Sequence, residues 1–289
     1  MASNGIVLES VSAEERYPAE ITIWRAERLD RLKSGTGWLS LVGLHWLKDG
    51  ANSIGSAKDN QIVIAAAAPK FGTATLTGGE VTFALADGAV AVIGSSDKVR
   101  SGKLLDDRSG RPTVVAFGAA SFIVIDRDGK KALRVRDANA PTLKNFQGLD
   151  YFEIAENWRV EAKWEAFDPP KTLEVPTVLG TVEKYAVPGK ATFERAGKTY
   201  ELQPVLETPD AKQLFLIFAD RTSGKETYGS GRFLYADMPK DGKIVLDFNK
   251  AYNPPCAFTP YATCPLAPPE NRLDLRVDAG EKKYKGSKH

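Results

Sequence analysis

From Gly37 onward the chain is written in short alternating runs separated by Gly, Asp and Asn, and this punctuation narrows the fold more than any other feature. "GWLSLVGLHWL", "NSIGS", "NQIVI", "GTATLT", "EVTFAL" and "AVAVIG" follow one another, with "KDG", "KDN", "TGG" and "ADG" as turns. "TVVAFG", "SFIVID" and "KALRVRD" continue the series, the last two joined by the hairpin turn "DRDGKK". Period-two runs with turn signals every ~8–12 residues predict an antiparallel sandwich or barrel rather than a βαβ array. "GWLSLVGLHWL" is largely apolar on both alternations, which predicts a strand buried on both faces.

Two segments break the rhythm. Residues 18–33, "PAEITIWRAERLDRLK", place Ile21, Trp24 and either Arg28 or Leu32 on one face at helical spacing, with Pro18 at a first helical position and "SGTG" as the stop. Residues 137–157 lack alternation and carry Pro, Asn and Gly, which marks a boundary or crossover. A second β series follows, from "WRVEAKWEAF", "KTLEVPT" and "TVEKYAVPG" to "NRLDLRVDAGEK". The expected architecture is mainly β: an N-terminal helical segment (1–37), an antiparallel β sandwich (38–139), and a second antiparallel barrel or sandwich (140–289). A chain of this length buries roughly three quarters of its unfolded surface and needs no staples.

The charge is close to balance, 39 basic against 37 acidic residues, which argues against a nucleic-acid footprint. The basic tail "EKKYKGSKH" reads as a solvated end. "MASNGIVLES" lacks the basic-then-apolar pattern of a signal peptide, and no apolar run reaches the ~18 residues of a membrane span. These features predict a soluble cytoplasmic protein without a membrane or nucleic-acid partner.

Candidate chemistry gathers near the C-terminus. "ADRTSGKETYGSGRFLYAD" offers Asp220, Ser223, Glu226, Tyr228 and Arg232, and "DFNKAYNPPCAFTPYATC" adds Asp247, Asn249, Asn253, Cys256, Tyr261 and Cys264. Two such loops could meet over one mouth of a barrel. Glu226 and Asp247 could pair for acid/base work, or one carboxylate could instead pin a loop by pairing with Arg232. Arg232 could clamp an anionic substrate, or lay its stem on Tyr228 or Phe233. The glycines of "TSGKETYGSGR" do not match a phosphate-binding loop and read as turn residues. The C-x7-C spacing of Cys256 and Cys264 is not that of a zinc site. The pair is open to three readings: buried free thiols, a disulfide at odds with a reducing compartment, or a catalytic thiol at Cys256 with His45 as the only available base. The loop around the cysteines holds six of the 17 prolines, so it is stiff and extended. It could present side chains to a pocket or act as a strap.

"GWLSLVGLHWL", "RVRDANAP", "PTVLG", "DRTSGKETYGSGRFLYAD", "LDFNKAYNPPCAFTPYATCPLAPPENRL" and "AGEKKY" together resemble the family called domain of unknown function 1684, from about Trp24 to Tyr284. That family brings no established activity. The resemblance implies only that these stretches mark a site. "LKDGANSIGSAKDNQIVI" is similar to the opening strands of forkhead-associated domains. Ser56 stands where those domains carry a phosphate-reading Arg, and "KFGTATL" has no histidine where their second recognition loop lies. The similarity therefore implies a sandwich without phosphopeptide binding.

Three functions follow. One is a cofactor-free enzyme acting on a small polar or anionic metabolite by hydrolase- or lyase-type chemistry, with Glu226, Asp220, Tyr228 and Cys256 as catalytic groups. Arg232, Asn249, Asn253, Tyr261 and Ser223 would bind its substrate, and no metal is called for. The second is a non-catalytic β protein holding a small ligand against Trp38, Trp46, Tyr228, Phe233 and Tyr235. The third is a protein-interaction module using the first sandwich. Oligomeric state is not legible.

Overall fold

The computed structural model describes residues 13–286. The sequence motif "MASNGIVLES" and the terminal His289 lie outside the described residues. Helix α1 (Ala13–Lys33) starts five residues before the expected position and carries Pro18 inside it. Ile21, Arg28 and Leu32 form its buried face, with Trp24 half-buried beside them.

Ten strands follow: β1 (Leu41–Trp46), β2 (Gly50–Gly55), β3 (Ile62–Val63), β4 (Gly72–Thr77), β5 (Glu80–Leu85), β6 (Val92–Ile93), β7 (Ser101–Leu104), β8 (Val115–Phe117), β9 (Ala120–Arg127) and β10 (Lys130–Asp137). They form two five-stranded sheets, β1-β10-β9-β8-β6 and β3-β2-β4-β5-β7. Ile54, Phe71, Phe83, Phe117, Phe122, Leu133 and Val135 fill the space between the sheets. This is the sandwich that the alternation predicted. The first run behaves differently from expectation. Trp38–Ser40 is a 3-10 turn, and β1 lies at the sheet edge, paired only with β10, so Trp46 is exposed instead of buried.

After a short helix α2 (Pro141–Lys144) come β11 (Arg159–Pro176), β12 (Val182–Arg195), β13 (Lys198–Leu202), β14 (Gln213–Phe218), β15 (Arg232–Asp237) and β16 (Lys243–Asp247). The strands β13-β12-β11-β16 form a four-stranded antiparallel sheet, and β14–β15 forms a separate hairpin. The prolines that suggested separate strands lie inside β11 and β12. The register skips from Ala166↔Gly189 to Lys171↔Val187, so Pro169, Pro170 and Pro188 share one irregularity where no ladder donor is needed. Trp158, Phe193, Phe218, Leu234, Leu246 and Phe248 make the core of this second half.

The start of the basic tail is not a solvated end. Glu281 is fully buried and Tyr284 nearly so, packed with Leu32, Leu39 and Phe258. Among the described residues no helix is long and apolar enough to cross a membrane.

Candidate functional site

Most of the polar residues of the two C-terminal loops hold the fold together. Arg232 starts β15 with its guanidinium in the core, 1 % exposed, where Nη2 donates to Asp220 Oδ2 at 2.6 Å and to the Val277 carbonyl at 2.9 Å. Gly231 makes this entry possible. Its φ is +103°, and a Cβ there would meet the Phe218 carbonyl at 2.4 Å. Asp220 also accepts from the Thr222 amide, and the Ser223 hydroxyl accepts from the Asp220 amide, so both close the turn. Glu226 points outward and forms a bidentate pair with Arg276, which holds its carboxyl below the usual range. Asn249 ties the approach to β11 to the end of β16 by exchanging hydrogen bonds with the backbone of Ala155. Asn253 is fully buried and donates to Glu281 and to the Lys282 carbonyl. Tyr228 is half-buried against the cluster of Leu32, Phe258 and Tyr284, and Phe233 lies in the core. Tyr261 is half-buried, with its amide donating to Thr259 Oγ1.

The cysteines are buried but not free. Cys256 and Cys264 form a disulfide across a separation of 8, with Cα atoms 6.2 Å apart, within the usual range for such bonds. Cys256 therefore presents no thiolate, which removes the catalytic role expected for it, and His45 lies half-buried on β1. The Pro-rich loop is a strap. Val178 donates to the Cys264 carbonyl and Leu266 to the Pro176 carbonyl, which fixes it to the end of β11. Tyr252 bridges to Phe233 of β15. At the far side Thr263 Oγ1 accepts from Arg127 Nε at 3.0 Å and from Arg134 Nη2 at 3.2 Å, so the strap also grips the outer face of the first sandwich.

A broad concavity lies elsewhere, beneath α1. A cleft of about 1470 Å³, open to solvent, runs from α1 to the edge formed by β15 and β16. Trp24, Trp38, Tyr235 and Tyr252 line it, with Arg28, Arg136 and Asp247 among its polar groups. The helix is anchored over it by polar contacts. Arg28 donates from Nε to Glu281 at 3.0 Å and from Nη2 to the Asn253 carbonyl at 3.1 Å, and its guanidinium lies 4.7 Å from the Tyr252 ring centre. Tyr17 donates to Asp247 Oδ1 at 2.7 Å. Burial, reinforced by that carboxylate, raises the Tyr17 hydroxyl well above its ordinary range. Tyr235 and Tyr252 stack at 6.4 Å, and Tyr235 donates to Glu207 at 2.7 Å. Both phenols are pushed up chiefly by burial, so both remain neutral donors.

Beside the Trp38 ring, one buried cation lacks a direct carboxylate partner among the described residues. Four basic side chains are buried among the described residues: Arg28, Lys131, Arg134 and Arg232. Arg28, Lys131 and Arg232 each meet a carboxylate, at 3.0, 2.6 and 2.6 Å. Arg134, 6 % exposed, has the Thr263 hydroxyl as its hydrogen-bond partner and the Trp38 ring 5.5 Å from its guanidinium; among the described residues it has no ion pair and its Nε–H has no partner. The carboxylates of Asp107 and Glu183 nearby pair with Arg127 at 2.8 and 3.6 Å. Arg136, two residues along the same face of β10, makes no ion pair among the described residues, and its Nε–H is also buried without a partner. Burial first, then the neighbouring Arg127, brings Arg134 down to about 10, and burial lowers Arg136 as well. Both stay charged at neutral pH. An ion taken from water without a counterion costs several kcal/mol, so this arrangement favours an incoming anion.

Sequence reasoning read "KALRVRD" as a strand and passed over its arginines. The available signal was "RVR" itself: alternation turns Val135 into the sandwich core and both arginines to the opposite face, and the strap then covers that face. Helical spacing puts Ile21 and Trp24 on one face with either Arg28 or Leu32; the helix buries both Arg28 and Leu32.

The fold and cleft define a mainly β protein with a helix laid over a solvent-open groove. The chain belongs to the family described as protein of unknown function (DUF1684), which matches residues 144–282. An uncharacterized protein of Haloarcula marismortui with a solution NMR structure is similar, at 32 % identity over 48 % of this chain and 78 % of that one, with a TM-score of 0.41. No curated protein matches the chain.

Proposed function

We propose that this protein binds a small polar organic molecule in the cleft beneath α1. The observation that carries the reading is the cleft itself: about 1470 Å³, with Trp24, Trp38, Tyr235 and Tyr252 as flat apolar faces and buried polar groups between them. Binding sites combine apolar and aromatic walls with a few convergent polar groups, and this cleft exceeds the ~300–1,000 Å³ of ordinary ligand pockets. The aromatic lining of the binding hypothesis is kept in Trp38 and Tyr235, while Trp46, Tyr228 and Phe233 lie outside it. Screening a panel of polar metabolites by thermal shift tests the reading. A stabilising compound should lose its effect in Trp24→Ala, whose side chain is half exposed. A panel without a hit, or a hit indifferent to that change, contradicts the reading.

A catalytic reading of the same cleft rests on Asp247. Its Oδ2 is buried without a hydrogen-bond donor while Oδ1 is held by Tyr17 and Asn249. The Lys250 ammonium lies 3.7 Å from Oδ2, and a carboxylate with one oxygen fixed and the other without a hydrogen-bond donor suits a general base. If turnover is found with a panel hit, Asp247→Asn should abolish it while the thermal shift with that hit persists; turnover that survives the substitution excludes this role.

A further inference from the structure

We infer that Arg134, Arg136 and the Thr263 hydroxyl form an oxyanion site at the Trp38 end of the cleft, taking the carboxylate or phosphate group of a small dianionic ligand. The inference rests on the cleft reading only for the organic part of that ligand; the anion site stands on its own observations.

Arg134 and Arg136 sit at i and i+2 of β10, so both side chains leave the same face of the sheet, ~6.5 Å apart along the strand. Val135 between them points the other way, into the sandwich core, which fixes the strand and with it the spacing of the two guanidinium groups. The Trp38 ring covers one side of Arg134 and the disulfide-stapled strap the other, through Thr263. The Thr263 oxygen already accepts from Arg127 and Arg134, which leaves its proton to donate to an oxyanion. Arg136 lines the cleft, so the site is reached from solvent on that side.

The comparison with the other buried cations is the decisive point. Arg28, Lys131 and Arg232 each have a carboxylate within hydrogen-bond reach, and Arg134 has none among the described residues. Two guanidinium groups, neither paired directly with a carboxylate among the described residues, suit a dianion better than a monoanion, and their planar shape suits both carboxylate and phosphate oxygens. The shared chemistry is the oxyanion; the two sources are separable by experiment.

The test is a titration of the full chain with sodium phosphate, succinate and acetate, each exchanged against chloride at constant ionic strength. It is followed by thermal shift and by the arginine side-chain Nε–H resonances in a nitrogen-15 spectrum. Phosphate or succinate should raise the melting temperature saturably and move the Arg134 and Arg136 signals, with acetate at least tenfold weaker. A response to phosphate alone assigns a phosphate ligand, and a response to succinate alone a dicarboxylate. Arg134→Gln should abolish the response and Arg136→Gln, at a partly exposed position, should weaken it tenfold or more. The surface variant Arg276→Gln should keep it. No saturable response to either dianion, or one that survives both Arg134→Gln and Arg136→Gln, overturns the inference. Anion binding without any organic hit in the cleft would leave this site standing and defeat the cleft reading. Organic hits indifferent to both arginines would do the reverse.

Discussion

At the residue scale, identical side-chain types do opposite work according to what surrounds them. Arg232 and Arg134 are both buried, yet one is neutralised by Asp220 at 2.6 Å and the other meets only a hydroxyl and an indole. Removing one partner of a buried pair strands the other charge, so Asp220→Ala should cost about 3–5 kcal/mol, read as a fall in the urea midpoint. Glu226→Gln removes a carboxylate paired at the surface with Arg276, and the same measurement should show no change. His45 gives the residue-scale pH dependence. Burial lowers its pKa below the ordinary 6.5, so the folded state prefers the neutral ring. The unfolded chain then binds the extra proton, and its contribution to stability is complete above about pH 6.5 and lost as pH falls through the folded value. In unfolding experiments between pH 7 and 5, His45→Gln should flatten that decline; an unchanged pH profile would assign the decline to other groups.

At the scale of elements, the strap is the piece whose identity the sequence left open. Its prolines forecast a stiff extended path, but the path is broken by 3-10 turns at Pro255–Ala257 and Pro269–Asn271, and its partners came from parts of the chain that no local pattern connects: β11, β15, the outer face of β10 and the tail at Glu281. The disulfide closes a loop of 8 residues, and the chain-entropy estimate for a loop that short is about 2.5 kcal/mol. Reduction, or Cys264→Ser, should lower stability by about that amount. Because Thr263 immediately precedes Cys264, the same change should also weaken anion binding at Arg134. Reduced protein with unaltered stability would show that the strap is held by its backbone pairings alone. Strands were legible because period two and Gly/Asp turns are local signals. The lengths of β11 and β12 were not, since prolines at a shared register shift look in sequence like strand ends.

At the scale of the whole molecule, alternation foretold a mainly β protein with a helix before the sandwich, while the place of the site was not legible. The polar loops drew the eye because Asp, Glu, Tyr and Arg are the side chains of chemistry, and most of them close turns or pair in the core. The cleft depends on α1 lying across β15 and β16, held by Tyr17–Asp247 and Arg28–Glu281, contacts spanning more than two hundred residues of sequence. Arg134 ranks as a site residue only once the strap and Trp38 are seen to bury it without a carboxylate. The most direct check of that claim is equilibrium unfolding of Arg134→Met beside the unaltered protein in chloride buffer free of other anions. Met keeps the apolar stem and removes the uncompensated charge, so the variant should unfold at the same or a higher urea concentration. A loss of stability approaching that of Asp220→Ala would mean that Arg134 is already balanced within the fold and that no anion is awaited there.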